Sequence, residues 1–118
     1  MAVTVQRRFF GSIAEALDDI KKNGTWPTTL VSGPSRGRSV HWHSEEVHAY
    51  VMEGETDFLD AATDERIPVG PGDKVTIPAR ALHAEGAVKD KVVYLIAVPG
   101  PLPYDEFLKA RPEEELRG

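Results

Sequence analysis

All four histidines of the chain fall in two short segments: His41, His43 and His48 lie close together, and His83 follows a Gly-Pro-Gly-Asp turn at residues 70–73. A neutral imidazole offers a nitrogen lone pair near neutral pH and is the commonest protein ligand for transition metals. Concentrating every histidine in two stretches predicts one divalent metal site, for iron, manganese, nickel, zinc or copper. The absence of cysteine excludes disulfides, thiolate sites, iron–sulfur clusters and a cysteine nucleophile together. On a strand, His41 and His43 share a face and Trp42 looks the other way. The turn Ser44-Glu45-Glu46 lets the chain reverse, and His48 comes alongside from a neighbouring strand about 5 Å away. His83 arrives from a third strand.

The elements that position these residues are mostly strands. One helix is signalled near the start: Ser12-Ile13-Ala14-Glu15 fits a capping box, Ile13, Leu17 and Ile20 line one face, and Asn23-Gly24 stops it. After Trp26-Pro27 the texture changes to short stretches of Val, Ile, Thr and Tyr punctuated by Gly, Pro and Asp, an all-β pattern. Strands are expected near 28–32, 38–43, 47–53, 55–60, 65–69, 74–78, 82–87 and 91–98. So many short strands with tight turns suit a jelly roll or small barrel. A second helix is expected over Tyr104 to Lys109, and residues after Pro112 read as a charged, partly frayed tail.

Residues 37–86 resemble the cupin superfamily, whose two motifs flank a variable segment in a small β-barrel. The first family motif has His-x-His, three or four residues, a glutamate, six residues and a glycine; His41-Trp42-His43 and Tyr50-Val51-Met52-Glu53-Gly54 stand in its place. The second, glycine, five residues, proline, x, glycine, two residues, histidine, is similar to Gly72, Pro78 and His83. Arg80 replaces its glycine, and Ala87 stands where an asparagine often lies. Counted without gaps, the family's acidic ligand falls on Val47, which cannot bind a metal. Its neighbours can: His48 would make an all-histidine site with His41, His43 and His83, and Glu46 would restore three histidines and a carboxylate. His48 is preferred, because imidazole suits borderline transition metals and a turn glutamate is more often solvated.

The resemblance implies one all-β domain over residues 1–118, a cupin-type jelly-roll β-barrel with a short N-terminal helix and a short C-terminal helix. Its core motifs span 37–98, with an N-terminal strand and helix in 1–27 and a C-terminal tail in 104–118. It also implies a metal-dependent enzyme of oxygenase type acting on a small molecule. The alternatives are a non-redox isomerase or lyase, and a non-catalytic module holding a small ligand or a metal. Glu85, two residues beyond His83, is a candidate general base or acceptor for an imidazole N–H, and Tyr50 shares the parity of His48. Imidazoles must be deprotonated to bind, so metal affinity should fall as the medium is acidified through about pH 6.5.

Charge and hydropathy bound the partners. With 14 basic and 19 acidic side chains the formal net charge is −5, so the positive field that nucleic acid or anionic membranes attract is missing. The longest apolar run, Val92 to Val98, is too short to cross a bilayer, and the first twenty residues do not resemble a secretory signal, so a cytoplasmic location is expected. Small barrels of this kind pair through sheet edges, and a homodimer is expected, with the N-terminal strand as donor.

Overall fold

The computed structural model describes residues 2–103 and 105–117, the last of these by its backbone. Among the described residues, ten short strands and two helices follow in chain order. These are β1 (Thr4–Gln6), α1 (Ile13–Asn23), β2 (Trp26–Ser32), β3 (His41–Trp42), β4 (Val47–Glu53), β5 (Thr56–Asp60), β6 (Glu65–Val69), β7 (Lys74–Ile77), β8 (His83–Glu85), β9 (Val92–Val98), β10 (Arg111–Pro112) and α2 (Glu113–Arg117). Every expected strand is present, several of them shorter. The strand expected at 38–43 contracts to two residues.

The strands form two five-stranded antiparallel sheets, ordered β1-β7-β4-β9-β2 and β10-β3-β8-β5-β6. The ladders do not continue from one sheet to the other, so the fold is a jelly-roll sandwich and not a closed barrel. The interior is apolar: Val47, Ala49 and Val51 of β4, Val75 and Ile77 of β7, and Val92, Tyr94, Ile96 and Val98 of β9 meet Phe58 and Val69 of the other sheet.

The central strands of the first sheet are buried on both faces. Tyr50, Leu95 and Ala97 point away from the sandwich interior and pack under Ala16 and Ile20 of α1. That helix begins as its capping box dictates, with the Ser12 hydroxyl accepting the Glu15 N–H at 3.3 Å, and ends at Gly24 in the left-handed region. Its buried face differs from the expected one. Ile13 and Leu17 remain exposed, because Asp19 turns inward to accept the Tyr50 hydroxyl at 2.6 Å and the Lys74 ammonium at 2.7 Å. The inward stripe is therefore Ala16, Asp19 and Ile20.

Two turns fix the strand registers that matter for the histidines. In the Gly70–Asp73 turn the buried Asp73 carboxylate accepts the N–H groups of Gly70 and Arg8 and pairs with Arg7. Before His83, the Arg80 N–H donates to the His43 carbonyl at 2.8 Å and Ala81 closes a turn on Pro78.

At the C-terminus the helix expected at 104–109 is replaced by turns over 105–108, with Tyr104 outside the described residues. Residues 113–117 of the expected tail form α2, whose first turn carries Glu113, Glu114 and Glu115, favourably placed against the helix dipole. Gly118 lies outside the described residues.

Candidate metal centre

β3 and β8 are neighbours in the second sheet, and their first residues, His41 and His83, are a direct cross-strand pair. His43 lies just past the end of β3 on the side of His41. The three ring centroids are 4.5 Å (His41–His83), 5.1 Å (His41–His43) and 5.1 Å (His43–His83) apart. Glu85, two residues beyond His83, shares its side of β8. One donor atom from each of His41, His43, His83 and Glu85 lies within 4.8 Å of all the others. The histidines are buried and Glu85 half-buried.

Each imidazole is held in one tautomer. The Nδ1 atoms of His41, His43 and His83 lie 2.7, 2.9 and 2.9 Å from the carbonyls of Ser39, Lys109 and Ala81. A carbonyl can only accept, so in each ring Nδ1 carries the hydrogen and Nε2 is left with the lone pair. Carbonyl-bound imidazoles of this kind are how proteins orient histidines toward a metal. The buried Nε2 of His83 has no hydrogen-bond partner among the described residues, and neither has Oε2 of Glu85. Buried polar atoms are nearly always satisfied, so a converging pair of orphans fits a bound cation.

The electrostatics point the same way. Burial pushes the His43 imidazole down to about 4, with the neighbouring His83 and His41 adding to the effect, and burial lowers His83 as well. Both rings are therefore neutral and able to donate a lone pair at neutral pH. At His41 burial favours the neutral form, but the Glu85 carboxylate and the Ser39 carbonyl outweigh it and the pKa is raised. Burial likewise works against ionisation of Glu85, yet His41 beside it holds the carboxyl down to about 2. His41 Nε2 and Glu85 Oε2 stand 3.3 Å apart. Two acceptors facing one another at this range need a cation between them, either a proton or a metal ion.

The cluster opens into a cavity of about 520 Å³ between the two sheets. Leu30, Val47, Ala49 and Ile96 give it an apolar wall opposite the imidazoles, and Arg38 and Glu85 are among its charged lining residues. Val47, at the place of the family's acidic ligand, thus faces the cavity without a donor atom. His48 and Tyr50 lie on the other face of β4. His48 Nε2 is 2.9 Å from Glu46, and Tyr50 donates to Asp19 beneath α1. The structure brings together His41, His43, His83 and Glu85; it does not bring His48, Glu46 or Tyr50 to them.

Tyr94 and Arg38, which sequence reasoning passed over, line the cavity. Tyr94 was legible through its alternation with Val92, Ile96 and Val98. The Lys109 carbonyl was not, since every residue carries one.

No curated protein matches the chain in sequence. Solved structures match in fold. A DUF861 family protein from Thermotoga maritima superposes with a TM-score of 0.59 at 16% identity, covering 81% of this chain and 98% of that one. The polyketide cyclase RemF from Streptomyces resistomycificus gives 0.55 at 22% identity, over 67% of this chain and 57% of its own. The DMSP lyase DddQ from Ruegeria pomeroyi gives 0.57 at 22% identity, over 68% of this chain and 40% of its own. Residues 29–99, which carry both histidine segments, match the family described as Cupin domain. With its histidine-bearing strands, its two-sheet jelly roll and that match over more than half its length, the chain belongs to the cupin family.

Proposed function

We propose that this cupin is a metal-dependent enzyme acting on a small organic molecule, with His41, His43, His83 and Glu85 as the protein ligands of one divalent transition metal. The observation that carries this reading is the convergence of three imidazoles, each bound at Nδ1 by a carbonyl, and one carboxylate in a buried cluster whose donor atoms lie within 4.8 Å of one another. The carboxylate comes from β8, two residues after His83, and not from β4 as the family spacing implies. A metal bound there supplies Lewis acidity to a substrate oxygen and, where it is redox-active, electron exchange with dioxygen.

The chain's own groups define what enters. The apolar wall of Leu30, Val47, Ala49 and Ile96 packs the body of a substrate and excludes water from the ligand side. The Arg38 guanidinium at the cavity wall favours an anionic group. Glu85 cancels one unit of a divalent ion's charge, so the centre attracts anions less strongly than an all-histidine site would. Four protein donors leave two positions of an octahedral set, enough for substrate and dioxygen, which supports the oxygenase reading. A non-redox isomerase or lyase is the second reading, in which the ion would act on a substrate oxygen as a Lewis acid alone; the fold shared with a polyketide cyclase and a DMSP lyase supports it.

Elemental analysis of protein purified without added metal should find about one equivalent of a transition metal. Glu85→Gln and His83→Ala should each weaken metal binding at least about tenfold, while His48→Ala leaves it unchanged. Loss of the metal in His48→Ala with retention in Glu85→Gln would overturn the ligand set. Turnover that needs oxygen selects the oxygenase; turnover retained with zinc under anaerobic conditions selects the second reading.

A further inference from the structure

The C-terminal segment returns across the molecule and supplies the acceptor for one ring of the histidine cluster, the Lys109 carbonyl. His41 and His83 are held by carbonyls two residues away, those of Ser39 and Ala81. His43 takes its tautomer from Lys109, 66 residues distant in sequence. On either side of that carbonyl Leu108 and Ala110 form part of the cavity wall. Leu108 sits in the left-handed region at φ 53, a conformation that a side-chain-bearing residue keeps only where its surroundings impose it.

The segment is held by Phe107 and Leu108, which pack against the core, and by a short polar anchor at β10. β10 pairs two residues with β3, Arg111 opposite Trp42 and Pro112 opposite His41. The Trp42 indole N–H donates to the Pro112 carbonyl at 3.0 Å. Arg111 lies 5.6 Å over the Trp42 ring and is tethered by Glu106 at 3.1 Å. With a ladder of only two residues and two partly buried apolar side chains, this contact opens more easily than the seven-residue ladder of β2 with β9 in the first sheet.

We infer that residues 105–112 are a strap whose docking positions His43 for the metal and closes the cavity, so that metal binding and strap docking are coupled. The inference rests on His41, His43, His83 and Glu85 being the metal centre. With the strap undocked, Nδ1 of His43 loses its acceptor, the ring turns freely, and its proton can move to Nε2, the atom that must carry the lone pair. Leu108 and Ala110 leave the wall in the same movement and expose the cavity. Lys109 thus acts through His43, as a positioning group. By linkage, the factor by which docking tightens the metal is the factor by which the metal favours docking.

Hydrogen exchange on the 118-residue chain, with and without saturating Zn²⁺, tests the coupling without any substitution. Zinc should slow exchange of the amides of residues 105–112. Chelator competition on Arg111→Ala and Trp42→Phe should then show zinc bound about tenfold more weakly. A purely structural strap would lower the melting temperature of these variants and leave zinc affinity unmoved. A parent that binds zinc while the strap amides exchange at the same rate with and without it overturns the inference alone. So do folded variants that bind zinc as the parent does. A parent that binds no zinc overturns the metal-centre reading, and the strap inference with it.

Discussion

Arg80 adopts φ 68 at the place where the second cupin motif carries a glycine. The turn before His83 is therefore kept, with a backbone conformation that costs a non-glycine residue about 1–2 kcal/mol. Arg80→Gly removes that strain at the cost of unfolded-chain entropy and of the guanidinium packed over Trp42. We expect Arg80→Gly to be at least as stable as the parent and Arg80→Val to lose about 1–2 kcal/mol in urea unfolding. Gly54, the last residue of the first motif, has the opposite sensitivity. It lies at φ 89 and an added Cβ would run into the Lys91 carbonyl, so Gly54→Ala should cost at least about 2 kcal/mol in the same measurement. Of the site residues, Glu85 was legible by its parity with His83. His48 was not separable from the cluster residues by pattern: both faces of β4 are buried, so Val47-x-Ala49-x-Val51 and His48-x-Tyr50-x-Met52 are each compatible with an inward stripe.

The same double burial sets the role of α1. Its Asp19 carboxylate sits between Tyr50 and Lys74, both buried, and is the polar contact that docks the helix on the first sheet. Removing its charge strands the Lys74 ammonium in an apolar seam between Phe9 and Tyr50. Asp19→Asn should lower stability by about 2–4 kcal/mol. Burial alone would raise the Asp19 pKa, but the Lys74 and Tyr50 contacts together bring it below the ordinary value of 3.8. A carboxyl depressed on folding contributes stability that is present above its unfolded pKa and lost as pH falls through the folded one. Urea unfolding at pH 7 and pH 3 should therefore show the parent losing stability on acidification, and Asp19→Asn losing less.

On the scale of the whole molecule, a metal held by the cluster would join β3 and β8 with the segment beyond β3 and, through the Lys109 carbonyl on His43, with the C-terminal segment. A ligand that binds only the folded state at 100 times its dissociation constant stabilises by about 2.7 kcal/mol, which for a chain of this size raises the melting temperature by about 10 °C. Zinc or manganese should produce that shift in calorimetry, and Glu85→Gln should remove most of it. The seven residues of β2 form an uncharged edge of the first sheet. The N-terminal strand expected to pair with a second copy is β1, at the opposite edge of the same sheet, and open edges pair with another copy unless blocked. Light scattering should report a dimer; a monomer mass would remove that expectation.

By itself the sequence determined the strand succession, the helix caps, the absence of thiol chemistry and the pairing of a His-x-His segment with a distant histidine. These are written in alternation, capping residues and residue identity, all local quantities. Only the tertiary structure decided which parity of β4 faces the cavity, that Glu85 and not His48 completes the cluster, and that the carbonyl of Lys109 orients His43. Those outcomes depend on which face α1 covers and on where the C-terminal segment crosses β3, contacts between residues far apart in the chain that no local pattern encodes.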